Sequence, residues 1–575
     1  MVKIKKNDVL LRDQDQWLYF SDPHKIIIAE TLDEVIPALH ETERLIAKND
    51  WHAAGFLSYE SASAFDPAFL TTPITGFPYL WFGLYSEPHT VNLPKPKRPT
   101  KVLNWQATVD RDSYNSAIAQ IKEYIANGRT YQVNYTMHLQ ADFNLNPWDF
   151  FLHLVQSQNN HAAYVDTGRH VICSASPELF FQLDGESITC RPMKGTVKRG
   201  RTTIQDQKQS NWLRTSEKNC AENVMIVDMI RNDLGRIAKI GSIRVPELFC
   251  IERYPTLWQM TSTVTAQTNA SLTGIFRALF PCASITGAPK VSATRIINQL
   301  ETMPRKIYTG TIGYITPRRK AKFNVAIRTL LIDRDLQKAE YGIGGGIVWD
   351  STSADEYAEA LLKGRVLTES HPEFSLFETI LWTPDEGFFL RERHVDRLLD
   401  SADYFDFSVS RDIVERQLSE IAASFVSPQR VRLLLDKTGR IIIESTTFQS
   451  TEKSIRVHLA KNPIDSNDVF LFHKTTQRKV YKNACADFPD YDDVLLYNER
   501  GELTEFTIGN LVVELDGQFI TPPIACGLLA GTFRAHLVET GQVVERVVSV
   551  QQVKECSQIF RINSVRKWER VHVSI

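Results

Sequence analysis

Gly342-Ile-Gly-Gly-Gly346, then Ser353-Ala-Asp-Glu-Tyr-Ala-Glu-Ala-Leu-Leu-Lys-Gly-Arg-Val366, then Glu369-Ser-His-Pro-Glu373: a glycine run, a helical pattern and a break follow one another. Glu356 and Glu359 are i,i+3 and Glu359 and Lys363 are i,i+4, so a helix over 353–366 places all three on one face. Pro372 disfavours helix immediately before it. Beyond it the pattern turns to short strand-like runs: Leu376–Leu381, Val431–Leu435, Ile441–Ile443, Val494–Leu496 and Leu511–Glu514. The main domain boundary is therefore placed here, giving units 1–370 and 371–575, each long enough to bury its own core.

Upstream, Asn92–Thr100 is rich in Pro and Lys and reads as an exposed connection. Gly55–Tyr59 and Tyr79–Tyr85 look strand-like, Asp112–Ala126 has helical apolar spacing, and Ser216 is the expected N-cap of a helix over 216–237 that carries Glu222.

The 575 residues carry 66 Lys+Arg against 68 Asp+Glu, a formal net charge of -2. Such a balance gives no bias toward nucleic acid or an anionic membrane, so an anionic substrate must meet locally placed cations. The first residues, Met1–Trp17, have no apolar core leading to a cleavage site, and no run of 18 apolar residues occurs, so neither a secretory signal nor a membrane span is expected. Eight scattered cysteines, none in a C-x-x-C pair, argue against a zinc site or a disulfide framework. They fit reduced thiols in the cytoplasm.

Taken singly, the candidate residues are weak signals. Two helices with facing carboxylates can hold Mg²⁺, yet Glu359–Lys363 by spacing alone reads as a surface ion pair. The glycine run lets backbone N–H groups approach an anion, or makes a tight turn. It is not a dinucleotide fingerprint, because the helix does not start within it. Lys194, after a strand-like stretch, is a solvated charge unless its pKa is lowered beside an acid.

Together they resemble the chorismate-utilising enzymes. The resemblance is carried by Tyr131-Gln-Val-Asn134, Ser176-Pro-Glu178, Pro192-Met-Lys-Gly-Thr196, Ala221-Glu-Asn223, Val227–Arg236, Thr286-Gly-Ala-Pro-Lys290, Tyr308-Thr-Gly310, Ile327-Arg-Thr329, Gly344–Gly346 and Glu356–Lys363. Within that family Lys194 is similar to the aminodeoxychorismate synthases, where anthranilate synthases are expected to carry alanine. The resemblance implies an α+β unit with large, mainly antiparallel sheets around the site. Mg²⁺ on Glu222 and Glu359 would take the ring carboxylate. Arg328, Tyr308, Lys363 and the Gly344, Gly345 and Gly346 amides would hold the substrate's anionic groups, with Thr286 and Gln259 also in the substrate set. Glu178 would be the general acid and Lys194 the nucleophile. Gln259 stands where many relatives have histidine, and Gln132 where relatives that activate water have lysine, which argues against isochorismate formation. No cysteine lies in a Gly-x-Cys-x-Gly setting, so ammonia is expected from a separate glutamine amidotransferase (glutaminase) subunit.

In the second unit Arg397 in His394-Val-Asp-Arg-Leu398, Lys474 in Leu471–Arg478, Glu505 in Gly501–Leu511 and Gly527–Arg534 are each unremarkable alone. In this order they resemble the fold-type IV pyridoxal-phosphate enzymes, which implies a two-subdomain α/β unit. Lys474 would be the Schiff-base lysine for pyridoxal 5'-phosphate, and Glu505 the partner of the pyridine nitrogen. Arg397, Gly531, Thr532 and Ser564 would hold the phosphate. Relatives of this kind usually dimerise, which implies a homodimer through this unit. The motifs leave aminodeoxychorismate lyase and aminotransferase both open; fusion to the first unit favours the lyase. The competing readings are an anthranilate synthase large subunit fused to an aminotransferase, and a binding or regulatory protein with decayed sites.

Overall fold

The computed structural model describes residues 4–94, 96, 103–157, 160–368, 373–449 and 455–574. Most of the Pro- and Lys-rich connection and the break at 369–372 lie outside the described residues. The chain packs as two compact units: residues 1–198 with 210–371, and residues 199–209 with 372–575. The assignment of residues 199–209 to the second unit departs from the single cut expected at 370.

The first unit holds two ten-stranded sheets among its described residues. Their strands pair antiparallel throughout. The expected strands appear as His52–Leu57 and Leu80–Tyr85, paired in register from His52↔Tyr85 to Leu57↔Leu80. Both are buried nearly along their whole length, which explains their near-continuous apolar character. A large apolar cluster built on Phe56, Trp81, Phe181, Phe276 and Phe323 fills one core, and a second gathers Tyr114, Phe151, Tyr164 and Tyr341.

The glycine run is neither a turn nor a loop. It lies inside the strand Lys338–Ile347, which pairs with Gln132–Asp142 from Lys338↔Asp142 to Ile347↔Val133. A Cβ on Gly344 would come within 2.3 Å of the Tyr135 carbonyl, so only glycine permits this approach. The neighbouring strand Thr329–Asp333 pairs only as far as Tyr341, leaving one edge of the glycine segment free of ladder partners on that side.

The helices fall close to their sequence limits. Glu217–Gly235 is capped by Ser216, whose side chain accepts from the Asn219 amide. Ser353–Gly364 is capped by Thr352, which accepts from the Asp355 amide. Arg111–Ala126 is capped by Asp110.

The second unit has two sheets among its described residues. The antiparallel one joins Gly387–Phe388, Leu376–Thr383, Gln429–Leu435 and Ile441–Thr447, and Arg391–Phe405 packs on it. The eight-stranded one is mixed: Ile455–Leu459 pairs parallel with both Asp493–Tyr497 and Lys567–Ser574. A pairing of Glu505 with Asn510 joins its end strand Leu503–Phe506 to Asn510–Leu515, which closes part of the sheet into a ring. The two sheets agree with the two-subdomain α/β expectation.

Candidate active sites

A cavity of about 380 Å³ in the first unit is lined by Glu178, Lys194, Glu222, Gln259, Tyr308, Arg328, Gly344, Gly345, Gly346, Glu359 and Lys363. Residues far apart in sequence and expected to act together are therefore brought to one space. Thr286 is not: its hydroxyl donates to the Cys282 carbonyl at 2.8 Å, and it does not line the cavity. Glu356, expected on the same helix face as Glu359 and Lys363, lines it as well, as do Asn134, Trp212, Lys218, Asn219, Ser284 and Tyr341, which the sequence does not single out as site residues. Ser284 lies two residues before the Thr286 motif; its proximity to that motif was the available signal.

Lys194 sits on the strand Met193–Lys198, and its amine lies against Gly346, where a Cβ would come within 2.9 Å. Desolvation lowers the Lys194 pKa, opposed by the charge of Glu222 and others nearby. No ion pair engages its amine among the described residues. Burial pushes Glu178 up to about 7, while a hydrogen bond from the Ser284 hydroxyl at 2.6 Å limits the rise. Burial thus favours the protonated carboxyl on Glu178 and the neutral amine on Lys194, the forms a general acid and a nucleophile need.

Gln259 donates its amide nitrogen to the Gly195 carbonyl at 2.8 Å, so it braces the strand beside Lys194, where the register shifts, as well as lining the cavity. Gln132 is fully buried, and among the described residues neither its amide oxygen nor its nitrogen has a hydrogen-bond partner.

Arg328 adopts φ 50° between strands Lys320–Val325 and Thr329–Asp333. Burial lowers its pKa, and no carboxylate pairs with it among the described residues. A half-buried guanidinium without a counter-ion is a receptor for a substrate anion. Tyr308 stacks over Gly342, where a Cβ would fall 2.1 Å from its ring, so Gly342 makes room for it. The Lys363 ammonium donates to the Gly344 carbonyl at 2.8 Å and pairs with Glu359 at 2.9 Å. That ion pair is the leading cause of Glu359's lowered pKa, which keeps the carboxylate ionised.

Glu222 and Glu359 line the cavity from different helices. No group of three or more His, Cys, Asp or Glu side chains suited to a metal is assembled among the described residues. Two carboxylates are enough for Mg²⁺, which keeps several waters and completes its shell with substrate. The donor set therefore fits that ion.

In the second unit, the backbone of Lys474 accepts from the Phe377 amide at 3.0 Å and its amine lies 4.8 Å from the Phe377 ring centre. Burial brings its pKa down to about 8, aided by Arg397. Glu505 is fixed by the Tyr481 hydroxyl at 2.7 Å and the Asn510 amide at 3.0 Å, and burial raises it to about 7. Gly531 caps the helix Thr532–Glu539; a Cβ there would strike the Asn510 amide oxygen at 1.9 Å. Ser564 directs its hydroxyl to the Thr379 carbonyl at 3.4 Å. A depressed lysine, an acid held by two donors, an arginine and a glycine-started helix suit pyridoxal 5'-phosphate.

Glu378 was not singled out from the sequence, although a carboxylate inside the apolar run Leu376–Leu381 was a legible signal. It is buried, binds Arg397 through Nε at 2.8 Å and Nη2 at 2.6 Å, and contacts His394 at 2.7 Å.

Residues 7–369 match the family model described as chorismate binding enzyme, and residues 375–573 match amino-transferase class IV. The chain is 39% identical over 274 residues to aminodeoxychorismate synthase component 1 of Escherichia coli (strain K12), covering 47% of this chain and 60% of that protein. It is 35% identical over 268 residues to anthranilate synthase component 1 of Lactococcus lactis subsp. lactis (strain IL1403), covering 46% of this chain and 58% of that protein. The chain thus spans somewhat over half the length of these curated relatives. The crystal structure of anthranilate synthase component I from Streptococcus pneumoniae TIGR4 shares the fold at a TM-score of 0.53 and 23% identity, over 64% of this chain and 94% of that one. No helix among the described residues is long and apolar enough to cross a membrane. From the family match over residues 7–369 and the cavity it encloses, this chain belongs to the chorismate binding enzymes, with an amino-transferase class IV unit joined behind.

Proposed function

We propose that the first unit aminates chorismate to 4-amino-4-deoxychorismate and that the second eliminates pyruvate from this product to give 4-aminobenzoate, the aromatic part of folate. The observation that carries the reading is the Lys194 amine, pKa lowered and free of an ion pair, in one cavity with a carboxyl poised near neutrality, Glu178.

Arg328 and Tyr308 bind the enolpyruvyl carboxylate, and Lys363 adds positive charge at the same wall. Mg²⁺ on Glu222 and Glu359 would supply charge stabilisation at the ring carboxylate. Glu178 gives its proton to the C4 hydroxyl, which leaves as water while the Lys194 nitrogen bonds to C2 and both ring double bonds shift by one position toward C4. Ammonia then bonds to C4, both double bonds shift back, and the C2–Lys194 bond breaks, its electron pair returning to the lysine nitrogen. The proton shed by the new amine restores Glu178. Gln132 in place of a lysine leaves no base to activate water instead of ammonia.

Pyridoxal 5'-phosphate would be held by Lys474, Glu505, Arg397, Gly531, Thr532 and Ser564, and supplies an electron sink at the substrate amine. Lys474 takes the C4 proton; the bond from the ring to the enolpyruvyl oxygen breaks, and the ring becomes aromatic. The lyase step rests on its position downstream of the amination.

Ammonia comes from a separate glutaminase subunit, a reading supported by the name component 1 of the Escherichia coli relative. The protein works in the cytoplasm and pairs through its second unit as a homodimer. Supplying chorismate, Mg²⁺ and ammonium to the cofactor-loaded protein tests the whole reading. Wild type is expected to yield 4-aminobenzoate and pyruvate, while Lys474→Ala stops at aminodeoxychorismate. The likeness to an anthranilate synthase makes anthranilate the competing product, and its fluorescence detects it directly; its formation would refute the assignment of the first unit.

A further inference from the structure

The anion cradle of the second unit has a carboxylate behind it. Glu378 is 2% exposed and His394 is 1% exposed, so neither is solvated, and a charge there must act on its neighbours. Glu378 takes both the Nε and Nη2 hydrogens of Arg397, in the paired-fork arrangement that fixes a guanidinium plane. The Arg397 Nη1 donates to the Ala530 carbonyl at 3.0 Å. One N–H on each of Nη1 and Nη2 is left over to face an anion. The second Glu378 oxygen also meets His394 Nδ1 at 2.7 Å, and His394 Nε2 meets the Thr532 hydroxyl at 3.1 Å. A carboxylate accepts, so Nδ1–H donates to Glu378; burial lowers the His394 pKa and so favours the neutral ring, whose Nε2 accepts from the Thr532 hydroxyl and fixes the Thr532 side chain.

We propose that Glu378 is a positioning residue for the cofactor's phosphate: one buried carboxylate orients Arg397 directly and Thr532 through His394. The proposal rests on the reading of this unit as a pyridoxal 5'-phosphate site. It adds that two of the expected phosphate ligands, on separate elements, are set by a single group that touches no cofactor atom. Its charge also offsets Arg397 in the free protein, so the cradle is preformed rather than assembled on binding.

The test compares dissociation constants of pyridoxal 5'-phosphate and of pyridoxal, which lacks the phosphate, for the full chain and its Glu378→Gln and His394→Gln variants. The phosphorus-31 shift of the bound cofactor is read alongside. Glu378→Gln is expected to weaken pyridoxal 5'-phosphate by roughly tenfold or more, in the range that outer-sphere partners command. Pyridoxal affinity should stay at the wild-type value and the phosphorus signal should move. His394→Gln, which breaks only the Thr532 arm, should lose less. Equal loss of both ligands would show general damage and overturn the proposal, as would a Glu378→Gln protein with wild-type affinity and phosphorus shift. If wild type binds pyridoxal 5'-phosphate and pyridoxal equally weakly and forms no visible band, the underlying reading of the unit fails and the proposal falls with it.

Discussion

A Cβ placed on Gly346 would lie 2.2 Å from the Gln132 amide nitrogen and 2.9 Å from the Lys194 amine. The glycine therefore sets how close the Lys194 nitrogen can stand to the strand that closes the cavity. Its φ is not in the left-handed region, so alanine suits the backbone and the clash falls on the tips of two side chains. Gly346→Ala is expected to fold normally and to lose roughly a hundredfold in amination rate, since a displacement of about 1 Å is enough for that. Steady-state rates with ammonium as nitrogen donor, beside a thermal melt, check both halves.

The same strand shows where sequence reading stops. The carboxylates of Glu222 and Glu359 were legible, because helical spacing and the Ser216 and Thr352 caps are local signals. The glycines read equally well as a turn, since nothing local reveals that Gln132–Asp142 lies alongside; long-range pairing decided it. Thr286 belongs to a recognisable motif, yet its hydroxyl is consumed by its own turn, a detail only geometry gives. Residues 199–209 carry no compositional mark of packing with the second unit, because the break at Pro372 was the one strong boundary signal.

Ser284 tunes the acid. Its hydroxyl donates to Glu178 at 2.6 Å, stabilising the charged form against the burial that raises the pKa to about 7. Glu178 works protonated, so the amination rate should fall as pH rises through about 7. Ser284→Ala removes the opposing bond and raises the pKa further. The alkaline limb of kcat/KM is expected to move up by roughly one pH unit, the worth of one hydrogen bond to a charged group. An unmoved limb would show that another group sets it.

Lys474 must be neutral to bond to the cofactor's aldehyde, and burial brings it to about 8. The rate at which the visible band develops at fixed pyridoxal 5'-phosphate is therefore expected to climb with pH and level off above about 8. An unperturbed lysine would keep climbing toward its ordinary value near 10.4. Arg397→Gln removes a cation that lowers this pKa and should shift the plateau upward. Stopped-flow absorbance over roughly pH 6 to pH 10, about two units either side of that pKa, records the profile.

Arg328 separates stability from binding. Desolvation lowers its pKa, the signature of a cation held where charge is disfavoured, and among the described residues no carboxylate offsets it. Without substrate such a charge is a cost to the fold; with substrate it becomes one half of an ion pair. Arg328→Met keeps similar volume and removes the charge. The variant is expected to be more stable than wild type by roughly 1 kcal/mol in the absence of chorismate. Adding chorismate and Mg²⁺ should raise the melting temperature of wild type and leave that of Arg328→Met almost unmoved, because ligand stabilisation scales with affinity. KM for chorismate should rise at least tenfold with Gln-, Lys- and Met-substituted forms alike, since lysine offers a point charge and not a fork. Equal substrate-induced shifts in wild type and variant would remove Arg328 from the anion site and move that role to Lys363.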